Sequence, residues 1–113
     1  MLVVNNKTLI YDVRLANGVL NKSKGLMFEN KNKFNYALIF DFKKENKFNC
    51  SLTMLFVFFP IDVIFLSNDK KVVEKATLNP WKINYTPKVP ARYVIELPVG
   101  LAKDVKINDV LYW

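Results

Sequence analysis

Apolar residues in this chain fall in short runs closed by polar turn signals, the pattern of β-strands. Leu9–Leu15 passes from an apolar start into alternation, with Tyr11, Val13 and Leu15 on one face and Asp12 and Arg14 on the other. Tyr36–Phe42 and Phe48–Phe59 are apolar and aromatic, as buried strands are. Asp62–Leu66 and Lys71–Ala76 flank the polar cluster Ser67-Asn68-Asp69-Lys70 and read as a hairpin. Arg92–Leu97 alternates, with Tyr93, Ile95 and Leu97 against Arg92, Val94 and Glu96, and ends at Pro98 and Gly100. Ile107–Trp113 reads as a last strand entered through a turn or bulge at Asn108-Asp109.

Helical signal is confined to a turn or two in Leu20–Met27 and another in Val99–Val105. Many short strands with little helix predict an all-β fold: a compact β-sandwich or partly closed β-barrel with one or two short helical turns. No repeat, low-complexity tract or linker divides the chain, so its 113 residues are read as a single domain, 1–113. With 51% hydrophobic and 24% charged residues it is too apolar for disorder.

The longest apolar run, Leu52–Leu66, is broken by Pro60 and Asp62 and falls short of the ~20 residues that span a bilayer. It predicts core strands, and no membrane partner is expected. The single cysteine, Cys50, cannot form an internal disulfide and sits in an apolar run, which points to a buried thiol. No basic leader with a long apolar stretch begins the sequence. A reduced, cytoplasmic setting is the expectation.

Three motifs stand in order: Gly25-Leu26-Met27-Phe28, then Met54 through Phe59-Pro60-Ile61-Asp62-Val63-Ile64-Phe65-Leu66, then Ala91-Arg92-Tyr93-Val94-Ile95-Glu96-Leu97-Pro98-Val99-Gly100. Asn79-Pro80-Trp81 lies between the second and third. Together they resemble the domain of unknown function 192 family of bacteria and archaea, over about Val13 to Val110. The resemblance implies a compact all-β fold and no known activity. Many bacterial members carry a Trp-Met-Lys-Asn-Thr-like run where this chain reads Thr53-Met54-Leu55-Phe56-Val57, and an arginine where it has Glu29. This version resembles an archaeal branch with a more apolar face.

Charge and candidate chemistry narrow the function classes. The net charge is +7, yet the lysines are scattered over the polar segments, and arginine, the better reader of phosphates and bases, occurs only at Arg14 and Arg92. Nucleic acid is therefore not the expected partner. Histidine is absent, which removes the commonest general base and metal ligand and excludes a Ser-His-Asp or Cys-His device within the chain. No metal site and no cofactor are expected.

Asp62, flanked by Ile61 and Val63 after Pro60, must find a donor or face solvent. The structural reading, in which it pairs with backbone N–H groups or an arginine and pins the turn that Pro60 begins, is preferred to a role as general base or ligand-orienting group. Glu96 lies on the Arg92–Val94 side of its strand. Arg92 and Glu96, four apart at ~13 Å, are too distant to pair along it. If Asp62 and Glu96 converged, they would make the paired carboxylates of a hydrolase or lyase.

Leu55–Phe59 has no polar alternation, so both of its faces must be covered, by core on one side and by a loop, ligand or partner on the other. Trp81, beside Lys82 and Tyr85 in an aromatic–proline segment, either caps the core or stacks on a ligand. The favoured reading is a non-catalytic module that binds a small molecule or protein. Its groove would be lined by Phe56, Phe58 and Trp81, with Asp62, Arg92 and Glu96 as polar anchors. The same apolar surface would suit a homodimer contact. The alternative is a carboxylate-based hydrolase or lyase using Asp62 and Glu96, and a third, weaker reading is nucleic-acid binding through the lysine-rich loops.

Overall fold

The structure, a computed structural model, describes residues 1–16, 30–46, 54, 57–81 and 84–113. Among the described residues eight strands run β1 (Leu2–Val4), β2 (Lys7–Ile10), β3 (Val13–Ala16), β4 (Ala37–Asn46), β5 (Ile61–Leu66), β6 (Val72–Leu78), β7 (Ala91–Pro98) and β8 (Leu111–Tyr112), with one 3-10 turn at Lys31–Lys33. They form a three-stranded sheet, β2-β1-β8, and a five-stranded sheet, β3-β4-β7-β5-β6. Both sheets are open, so the fold is a two-sheet, sandwich-like all-β structure and not a closed barrel.

The five-stranded sheet has apolar layers on both faces. On one, Ala37, Ile39, Ile64, Leu66, Ile95 and Leu97 pack against Leu2, Val4 and Leu111 of the small sheet. On the other, Phe40, Ile61, Val63, Phe65, Leu78 and Val94 pack against Phe34, Tyr36, Met54, Val57 and Phe59, which come from segments outside the strands. Double coverage explains why β5 is buried at all six positions. It also explains the unbroken Val63-Ile64-Phe65-Leu66 sequence, since each such side chain adds about 1.5–3 kcal/mol only if it leaves water.

The hairpin of β5 and β6 forms as the polar cluster predicts, with Ile61 opposite Leu78 and Phe65 opposite Glu74. Ser67 accepts from Lys70 N–H at 3.0 Å, and Lys70 takes the left-handed conformation at φ 60°. Val99–Val105, expected as a helical turn, is instead a run of hydrogen-bonded turns without helix, with bonds from Leu101 N–H to Pro98 O and from Val105 N–H to Ala102 O and Gly100 left-handed at φ 95°.

Other expectations are corrected. Leu9–Leu15 is not one strand: Tyr11 and Asp12 separate β2 from β3, and Asp12 O accepts from Ala37 N–H at 2.9 Å. Of the three residues expected on one face, Tyr11 and Leu15 are exposed, and Val13 alone packs on the core, beside Ala37. The last strand is only Leu111–Tyr112, because Asn108 and Asp109 are tied to Val72 by backbone bonds. A strand at Leu2–Val4, unmarked by alternation, pairs with β8. Within Phe48–Phe59, the described residues Met54 and Val57–Phe59 are not strand. The doubly covered strand begins two residues later, at Ile61. The helical reading of Leu20–Met27, the Gly25–Phe28 motif and Cys50 lie outside the described residues.

Candidate functional site

Strand register decides where the two carboxylates of interest go. Across β5 and β7, Asp62 stands opposite Leu97, and Val63 stands opposite Glu96. Paired residues share a face and successive residues alternate, so Asp62 and Glu96 leave the sheet on opposite sides. Asp62 joins the face that meets the small sheet, and Glu96 the face covered by Phe34, Met54 and Phe59. The two do not form one carboxylate pair.

Asp62 is 4% exposed and fully engaged. Its Oδ1 accepts from the Thr77 hydroxyl at 2.8 Å, and its Oδ2 accepts from Gly100 N–H at 2.9 Å and Ala102 N–H at 3.0 Å. It therefore takes backbone donors, as the structural reading expected, but the turn it pins is the one after β7 and not the one that Pro60 begins. Gly100 sits at φ 95°, a conformation that disfavours side chains and lets two nearby N–H groups reach one carboxylate.

Arg92 is at the other end of β7. Its Nε and an η nitrogen donate to the two Asp41 oxygens at 2.9 and 3.2 Å, a forked pair. That hydrogen bonding, with support from Lys43 N–H and the nearby cations, holds Asp41 down at about 2. Arg92 also lies 4.8 Å from the Tyr93 ring centre. Asp41 was legible as the one carboxylate in the apolar run Tyr36–Phe42, but its partner was not.

Glu96 differs from both. It is 7% exposed, it lies between Leu38 of β4 and Val63 of β5, and its Oε2 has no hydrogen-bond partner among the described residues. Burial in this apolar layer raises its pKa from 4.5 to about 8. An orphaned carboxyl oxygen in the middle of a sheet is costly to stability and calls for an explanation.

The covering segment above that face carries the exposed aromatics. Val57 and Phe59 are buried in the layer over the sheet, whereas Phe58 between them is 55% exposed. Phe58 thus stands on the side of the run for which a loop, ligand or partner was expected, and its ring is open to solvent. Phe58 meets Trp81 edge to face, with ring centres 5.5 Å apart. Trp81 is 45% exposed, so it is not a cap closing the core. Its backbone is left-handed at φ 65°, and its N–H donates to Met54 O at 3.0 Å. Phe56 and Lys82 lie outside the described residues.

Sequence reasoning missed one fastening. Glu74 accepts from the Tyr85 hydroxyl and from Lys88 N–H at 2.7 Å, and the Tyr85 ring stacks on Phe65 at 5.8 Å. Burial, together with Glu74, pushes the Tyr85 phenol up to about 12. Alternation along β6 puts Glu74 on the Phe65 side, but nothing local links it to a residue eleven positions away.

The comparisons with known proteins agree with this architecture. The model of the DUF192 family, described as "Uncharacterized ACR", matches residues 2–111. The chain belongs to the DUF192 family. UPF0127 protein PH1112 of Pyrococcus horikoshii is 40% identical over 117 residues, covering 100% of this chain and 98% of that protein. UPF0127 protein PF1050 of Pyrococcus furiosus is also 40% identical, over 98% of this chain and 94% of its own length. A crystal structure of a protein of unknown function from Novosphingobium aromaticivorans superposes with a TM-score of 0.79 at 26% identity, covering 89% of this chain and 74% of that one. A putative transcription regulator from Sinorhizobium meliloti gives 0.78 at 23% identity over 88% and 79%, a likeness that shows the fold alone. The DUF192 resemblance read from the three motifs is thereby established. No helix among the described residues is long and apolar enough to cross a membrane.

Proposed function

We propose that this DUF192 protein is a non-catalytic binding module whose contact surface is the Phe58–Trp81 pair. The observation that carries the reading is the exposure of both rings, edge to face, with Phe58 standing out between the buried Val57 and Phe59. Two large aromatics held out of the core offer a flat apolar surface with a polar handle on the indole. A left-handed Trp81 costs about 1 kcal/mol or more, a strain that a site for binding would account for.

Of the three expected polar anchors, Asp62 and Arg92 already have their partners, and Glu96 alone has an oxygen without one. Glu96 lies under the segment that bears Phe58. At 7% exposure its carboxyl is sealed beneath that segment and out of reach of a ligand on the outer rings, so the reading rests on the aromatic pair without a carboxyl anchor. The carboxylate-enzyme alternative has no such support, because its two acids diverge.

Ligand-observed NMR on the intact chain, with phenethylamine and indole as probes, tests the reading. Saturation transfer to either probe is expected to fall at least several-fold in Phe58→Ser and in Trp81→Ser. Transfer unchanged in both variants, or absent from the start, would overturn it.

A further inference from the structure

On the opposite face of the large sheet from Glu96, β6 and the turn after β7 enclose a groove of about 340 Å3. Its walls come from Asp62, Lys75, Ala76 and Thr77 on the hairpin and from Val99, Gly100, Ala102 and Lys103 on the turn. The volume falls in the lower part of the range used for small ligands. Nothing lies within 4 Å of the point where a Gly100 side chain would begin, and Gly100 at φ 95° keeps that space open.

The charges around this space are arranged unevenly. Lys75 Nζ donates to Ala102 O at 2.9 Å and to Lys103 O at 3.3 Å. An ammonium has three protons, so Lys75 is held in place with one donor to spare. Lys103 adds a second positive charge at the rim. The one acid, Asp62, already accepts from Thr77, Gly100 and Ala102. The groove therefore presents cationic donors to a guest while its own carboxylate is occupied. Val99, 47% exposed, supplies an apolar wall.

We propose that this groove binds a small organic monoanion, a carboxylate with a short apolar body. A dianion such as phosphate suits it less well. The Gly100 and Ala102 N–H groups that would cradle a phosphate are taken by Asp62, and no arginine lines the space. One fixed ammonium proton matches one carboxylate, and Val99 matches the alkyl part. This site does not depend on the aromatic pair, which is on the other side of the sheet.

The test is an amide NMR titration of the intact chain with sodium propionate, with sodium phosphate and sodium chloride as controls. Propionate is expected to give saturable shifts centred on Thr77, Gly100, Ala102 and Lys103. Lys75→Met should weaken binding about tenfold, the loss of one charge-assisted hydrogen bond. Val99→Asp, which puts a negative charge on the exposed rim, should abolish it. Phe58→Ser should leave it unchanged, separating this site from the aromatic surface. Linear, equal shifts with all three salts would overturn the proposal, and so would unaltered propionate binding in Lys75→Met and Val99→Asp.

Discussion

Asp62 and Glu96 are one position out of register across neighbouring strands, so their carboxyl groups leave the same sheet by opposite faces. That offset gives two acids of similar sequence context different physical fates. One is saturated with donors and serves the fold. The other is buried with an oxygen unpaired and imposes a cost on it.

Asp62 should therefore be a stability residue. In Asp62→Ala the Gly100 and Ala102 N–H groups lose their acceptor inside the protein, which is expected to cost about 3 kcal/mol. Thr77→Val removes only one of the three bonds and should cost about 1 kcal/mol. Urea unfolding midpoints check both. Equal stability of Asp62→Ala and wild type would mean that the carboxylate does not pin the turn.

Glu96 should behave in the opposite way. Its pKa rises from 4.5 to about 8 on folding. Between those values the folded state holds a proton that the unfolded state has released, so stability must fall as pH rises through this window. The slope is on the order of 1 kcal/mol per pH unit. Glu96→Leu should abolish the slope and add about 2 kcal/mol at pH 8, where the wild type has begun to bury a charge. Chemical denaturation at several pH values reads both effects. A Glu96→Leu protein less stable than wild type at pH 8 would reveal a partner for the carboxyl and contradict its orphaned state.

How much of this was legible in the sequence depends on the range of the interaction. The β5–β6 hairpin was readable because Ser67–Lys70 and the flanking apolar runs are local signals. The alternation of Tyr93, Ile95 and Leu97 against Val94 and Glu96 was readable too, since it is fixed by the strand itself. Which face received Asp62 relative to Glu96 was not, because register between β5 and β7 is set by pairing across more than thirty residues. β1 escaped notice because three residues carry too short a pattern, and only pairing with β2 and β8 makes them a strand. Around Phe58 the residues alternate between core and solvent without changing chemical character, so which side chain would stand out was not legible from the run.

Asp41 and Arg92 should mark the acid limb of the stability curve. Asp41 is held at about 2, below its ordinary 3.8, chiefly by the Arg92 hydrogen bonds. A lowered carboxylate pKa gives stability that is present above about 3.8 and lost as pH falls toward 2. Arg92→Met should be less stable than wild type at pH 5 and approach it near pH 2. Parallel curves for the two proteins over that interval would show that the forked pair contributes nothing to folding.

Tyr85 closes the alkaline side. Burial first, and Glu74 second, push its phenol up to about 12 from 10.0. The folded state keeps this proton where the unfolded state loses it, so stability should fall between pH 10 and 12. Ultraviolet difference titration should show the Tyr85 phenol as a late step well above the ordinary value of 10.0. Tyr85→Phe should remove that late step, and it should cost about 1 kcal/mol at neutral pH because Glu74 loses its hydroxyl donor and keeps only Lys88 N–H. The ring still stacks on Phe65, so most of the packing survives the change. If the late step persisted in Tyr85→Phe, it would belong to another tyrosine, and the clasp between β6 and the Tyr85–Lys88 segment would not be what shifts it.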